Sequence, residues 1–94
     1  MAHLLVRQRV EDYAVWKSAF DDDAELRRLA GSLGGHVFQS ADNPNEVFVL
    51  MVWDAMENLQ QFAQSDELKA RMQQAGVTGP PEIHFLHLAD NPSV

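Results

Sequence analysis

The sequence predicts an α+β chain of the order β-α-β-β-α-β, and three observations carry that expectation. Two stretches of helical spacing, each interrupted once by a second start signal, alternate with four strand-like runs. Dense turn chemistry, Asp42-Asn43-Pro44-Asn45, separates the two central runs. The third run, Val47 to Trp53, contains no polar residue. Four strands in this order, antiparallel and with the helices on one face, form a ferredoxin-like sheet.

Residues His3 to Arg9 read as the first strand, apolar at its start and polar at its end. Asp12 is placed to cap a helix on which Tyr13, Trp16 and Phe20 share one face. The phase slips at Asp21-Asp22-Asp23, where Asp22 and Glu25 have capping-box spacing, and Leu26, Leu29 and Ala30 continue an apolar stripe. This is one kinked helix or two short ones. Gly31 is the expected stop and Gly34-Gly35 a flexible turn before a short strand, His36 to Ser40. Glu46 to Trp53 is the clearest strand. Asp54 and Glu57 again have capping-box spacing, ahead of a helix that turns Leu59, Phe62 and Ala63 inward. Ser65 starts a further segment carrying Leu68, Met72 and Ala75, which Gly76 ends. Gly79-Pro80-Pro81 reads as a stiff connector, Glu82 to Leu88 as the last strand, and residues 89–94 as a frayed tail.

The 94 residues are expected to form one domain, with its core over about 2–88. A chain of this size buries roughly 60–65% of the surface it exposes when unfolded, so added packing against a second copy would help it. Seven basic against fourteen acidic residues give a net charge of −7. That field repels phosphate backbones and anionic lipid surfaces, so neither nucleic acid nor membrane is an expected partner. The absence of cysteine removes disulfides, thiolate metal sites and a thiol nucleophile. Leu4-Leu5-Val6 is too short for a signal peptide, and a cytoplasmic location is expected.

A sheet covered by helices on one side alone should alternate apolar and polar residues. Val47 to Trp53 does not alternate, so its second face must also be covered. No spare element exists for that, and a second copy packed sheet on sheet about a two-fold axis is the economical answer. A homodimer is therefore expected.

These elements, with Asp12-Tyr13-x-x-Trp16-Lys17 and Phe20, Asn43-Pro44-Asn45-Glu46-Val47, Val52-Trp53-Asp54 with Glu57-Asn58, and Gly79-Pro80-Pro81-Glu82-Ile83, resemble the dimeric α+β barrel superfamily over roughly residues 2–88. The likeness is to its antibiotic-biosynthesis-monooxygenase-like branch, near small bacterial proteins labelled cyclases. The resemblance implies two sheets facing each other in an eight-stranded barrel, with a cavity between helices and sheet in each subunit. Haem-degrading members carry a Trp in the second helix and a ligating His about ten residues later. Phe62 and Met72 stand at those places here, so haem degradation is not expected.

Candidate chemistry centres on His3, His36, His84 and His87. His84 and His87 cannot act as a pair, because odd spacing on a strand points them to opposite faces. No spacing suits a metal, phosphate or dinucleotide site, and no cofactor is expected. His84, between Ile83 and Phe85, and His36 are the candidate general acid–base groups. Tyr13, Trp16, Phe38, Trp53, Phe62 and Phe85 are the candidate pocket walls. The implied function is a cofactor-free monooxygenase, or a cyclase or isomerase, acting on a small apolar or aromatic compound. In the competing reading the same cavity serves a non-catalytic binding or stress-related module.

Overall fold

The computed structural model describes residues 1–94, and each of the two helical stretches is divided in two. Strand β1 (Ala2–Val10) leads to helices α1 (Tyr13–Asp22) and α2 (Ala24–Ala30), then to β2 (Ser32–Gln39) and β3 (Glu46–Trp53). Helices α3 (Met56–Ala63) and α4 (Asp66–Gln74) return the chain to β4 (Val77–His87). The four strands form one antiparallel sheet in the order β2-β3-β1-β4, the ferredoxin-like arrangement.

Local signals account for most boundaries. Asp12 Oδ1 accepts from the backbone N–H groups of Ala14 (2.9 Å) and Val15 (3.4 Å) and starts α1. Ser65 Oγ accepts from Leu68 N–H and starts α4. Gly31 ends α2 at φ 120°, where any side chain is strained and a Cβ would displace the Asp54 carboxylate. Neither expected capping box forms. The joint between α1 and α2 is Asp23, not Asp22, and its side chain caps nothing. Instead its carboxylate reaches across to Arg71 on α4. Ala55, not Asp54, precedes α3; Asp54 is drawn to the end of α2, where its N–H donates to Gly31 O, and its carboxylate accepts from Asn58.

Two segments expected to be loops are strand. Gly34-Gly35 lies inside β2, because the strand bulges between Ser32 and Gly34 and resumes pairing with Val52 and Met51. A Cβ on Gly35 would sit 2.0 Å from Leu50 O, which is why this strand needs glycine where it crosses β3. Gly79-Pro80-Pro81 lies within β4, whose pairing with β1 shifts between Arg7 and Arg9. β4 is an edge strand, so prolines that cannot donate to a ladder are tolerated there.

Parity decides what each strand residue meets. Ala2, Leu4, Val6, Gln8 and Val10 of β1, with Val47, Val49, Met51 and Trp53 of β3, face the helices and are buried. Trp16 of α1 and Leu59 of α3 close over them. Trp53 has no exposure, donates its indole N–H to Ala30 O (3.0 Å), and stands 5.0 Å from the Phe62 ring. The opposite face carries Leu5, Leu50, Val52 and Leu86 at one end, and Arg7, Phe48, Glu46 and Glu82 toward the other. No helix covers this face within the chain. No helix is long and apolar enough to cross a membrane.

Candidate functional site: the cavity between helices and sheet

A cavity of about 90 Å³ lies between the helix layer and the inner face of the sheet. Its floor is β1 and β3 through Leu4, Val6, Val49 and Met51; its walls include Trp16, Trp53, Phe62 and Met72. Of eighteen lining residues fourteen are hydrophobic, and the other four are Gln8, Asp23, Arg27 and Arg71. A wider polar depression, about 410 Å³ and bordered by Asp54, Asn58 and Gln61, adjoins it outside, with Leu26 and Phe62 shared between the two.

Gln8 is the one buried polar residue of the chain, and its Oε1 has no hydrogen-bond partner. A buried acceptor left unpaired costs roughly 1–3 kcal/mol relative to a satisfied one. Natural cores remove such groups unless something uses them. Gln8 stands in the inward phase of β1, between Val6 and Val10, so the strand itself drives the carboxamide into the cavity.

The three charged residues stand where the cavity meets the surface. Asp23, at the joint of α1 and α2, pairs with Arg71 of α4, which also donates to Glu67 (3.2 Å). The Glu67 hydrogen bond, and then the Asp23 charge, hold the Arg71 guanidinium above its ordinary pKa. Arg27 lies over the Phe20 ring, 3.6 Å from its centroid, and donates to Phe20 O (2.6 Å). Burial moves the Arg27 guanidinium the other way, against the pull of Asp23 and Asp21.

The candidate residues divide sharply between the two faces. Trp16, Trp53 and Phe62 line the cavity. Tyr13 packs at the margin of the core, its ring 5.9 Å from that of Trp16, and does not reach the lining. Phe85 pairs with Leu4 on the inner side but stays partly exposed and outside the lining. His36, His84 and Phe38 lie on the opposite face, in register with Leu50, Leu5 and Phe48 respectively, and so cannot reach the cavity. The bulge between Ser32 and Gly34 shifts β2 by one residue and so sets the faces of His36 and Phe38, whereas the shift in β4 is by two residues and leaves its alternation, and the outward face of His84, unchanged. His84 Nε2 lies 2.7 Å from Glu82 Oε1, and this contact holds the Glu82 carboxyl below its ordinary range, with Arg7 adding to the effect. His36 stacks on Phe38 at 5.9 Å. Nothing in the sequence-based expectations pointed to Gln8, Asp23 or Arg71, although a polar residue in the apolar phase Leu4-x-Val6-x-Gln8-x-Val10 is a legible signal.

Residues 8–74 match the sequence pattern of the antibiotic biosynthesis monooxygenase family. The chain belongs to that family. The matched span begins at Gln8 and includes both tryptophans of the cavity and the Asp23–Arg71 pair. Solved structures share the fold of this family member. SnoaB, a cofactor-independent oxygenase from Streptomyces nogalater, is 14% identical at a TM-score of 0.78, covering 99% of this chain and 97% of its own. A Bordetella bronchiseptica protein, provisionally named an antibiotic biosynthesis monooxygenase, is 17% identical at 0.77, covering 94% and 96%. Rv0793 from Mycobacterium tuberculosis is 18% identical at 0.70, covering 98% of each. No curated protein matches the sequence.

Haem, the cofactor of one branch of the fold, does not suit this cavity. No imidazole lines it, and Phe62 and Met72 occupy the wall. No cluster of three or more His, Asp or Glu groups is placed to hold a metal ion.

Proposed function

We propose that this family member is a cofactor-free monooxygenase that oxidises a small aromatic or otherwise apolar compound in the helix–sheet cavity. The observation that carries the reading is an apolar cavity holding one buried, unpartnered carboxamide, Gln8, with a carboxylate at its mouth. The cofactor-independent oxygenase among the structures of the same fold supports it. In such chemistry the substrate supplies the electrons. A ring carbon ortho or para to a hydroxyl, a CH2 in the keto tautomer, loses a proton, the carbanion reduces O2, and that carbon becomes a quinone carbonyl while the second oxygen atom leaves as water. All four electrons come from the carbon. The protein contributes a base, orientation and exclusion of water.

Asp23 is the sole carboxylate of the lining and takes the role of base; His36 and His84 stand across the sheet from it. Gln8 orients the ring oxygen, and Arg71 stabilises the anion left after proton removal. The active assembly is a homodimer, two outer sheet faces covering each other, since Leu5, Phe48, Leu50, Val52 and Leu86 need a cover that the chain does not provide. The working compartment is the cytoplasm.

An oxygen-uptake assay under ¹⁸O2, run over one-, two- and three-ring hydroxylated aromatics, tests the reaction. One labelled atom should appear in the product, without added metal, flavin or haem. Asp23→Asn should slow uptake by about 10²-fold or more, and His84→Ala should leave it within twofold. Binding without any oxygen uptake would make the chain a carrier instead.

A further inference from the structure

The same cavity holds a second unsatisfied group. Arg71 ties its two terminal nitrogens to Asp23 and Glu67, whereas its Nε is buried and has no partner. Gln8 Oε1 is likewise buried without a donor. The lining therefore contains one orphan acceptor and one orphan donor among fourteen hydrophobic residues. Neither group finds a partner within the protein, and each is the complement of a ligand atom.

Size adds a second constraint. An enclosed apolar cavity of about 150 Å³ accepts benzene. At about 90 Å³ the interior of this cavity admits no more than one ring, and anything larger extends through the open mouth beside Asp23 and Arg71.

We propose that the cavity selects a single aromatic ring carrying both a hydroxyl and a separate acceptor oxygen, with Gln8 Oε1 receiving the hydroxyl and Arg71 Nε–H meeting the acceptor. Arg71 is thus a specificity-determining residue, and the Asp23 and Glu67 carboxylates fix its guanidinium so that Nε is the donor left for the ligand. The proposal rests on the cavity being the ligand site and adds the class of ligand.

The test is calorimetric titration of the whole chain with toluene, phenol, acetophenone, the three hydroxyacetophenones and a three-ring hydroxyanthrone. At least one hydroxyacetophenone should bind tenfold or more tightly than phenol or acetophenone, with toluene weakest. Arg71→Lys keeps a cation beside Asp23 but removes the Nε–H; it should bring that compound down to the affinity of phenol. Gln8→Leu should bring it down to that of acetophenone and should not lower the melting temperature, since no protein group uses Oε1. Hydroxyanthrone binding more tightly than every single-ring compound, or affinities indifferent to both substitutions, would overturn the proposal while leaving the oxygenase reading intact if oxygen is consumed. The expected pattern without oxygen uptake would uphold the ligand class and remove the oxygenase. No binding by any of these compounds overturns both.

Discussion

Trp53→Ala should lower the unfolding free energy by about 3–5 kcal/mol, as truncating a buried aromatic does. Trp53 is fully buried at the end of β3, packs on Phe62, and gives its indole N–H to Ala30 O at the close of α2. The substitution therefore removes side-chain volume from the core, leaves a half-buried carbonyl without its donor, and frees α2 from the sheet. For a chain of this length that corresponds to a fall in melting temperature of roughly 15–30 °C. Differential scanning calorimetry measures it directly. Trp53→Phe keeps one ring but loses the hydrogen bond and part of the indole volume, so it should cost less than the alanine variant, about 1–3 kcal/mol. A loss below about 1 kcal/mol for the alanine variant would mean that the wall of the cavity is far more plastic than its packing indicates.

The second large effect is on assembly. Leu50 sits on the outer face of β3, in register with Leu5 of β1 and His36 of β2. In the proposed dimer Leu50→Asp would place an unpaired carboxylate between two sheets, once in each subunit. Loss of a central interface anchor costs about 4 kcal/mol or more, roughly a thousandfold in the dissociation constant. Light scattering at micromolar concentration should give twice the chain mass of 10.6 kDa for the parent and the single chain mass for the variant. Gln60→Asp, an exposed change on α3, should leave the mass unchanged. A parent chain that stays monomeric would remove the dimer and require another cover for the apolar outer face.

The sequence made the order of elements legible because its strongest signals are local. β3 runs from Glu46 to Trp53 as expected, and Asp12, Ser65, Gly31 and Gly76 mark the helix ends they were expected to mark. What failed was chemistry that depends on a distant partner. Gly34-Gly35 resembles a turn until the carbonyl of Leu50 is placed 2.0 Å from the absent Cβ. Gly79-Pro80-Pro81 resembles a connector until β4 is known to be an edge. Asp22 and Asp54 have the right spacing for capping boxes, but Asp23 takes the joint of α1 and α2, and Asp54 is held at Gly31 and Asn58.

The site was less legible than the fold for the same reason. Phe62, Trp16 and Trp53 follow from apolar periodicity, so they could be read as walls. The faces of His36, His84 and Phe38 depend on the register of edge strands, and in β2 a one-residue bulge flips the parity ahead of His36 and Phe38. Gln8 could have been found by asking which polar residue occupies an apolar phase. Arg71 and Asp23 could not, because 48 residues separate them and only the packing of α4 against the α1–α2 joint brings them together.

The proposed functional site is the helix-side cavity and not the histidine-bearing outer face. Intermolecular NOEs from a saturating single-ring ligand, 4-hydroxyacetophenone, to assigned methyl groups decide between the two. Contacts to Val6, Val49, Met51 and Ile83, all in the cavity lining, are the expected result. Contacts to Leu5, Leu50 and Leu86, with none to the inner set, would place the ligand beside His84 on the opposite face and contradict the assignment.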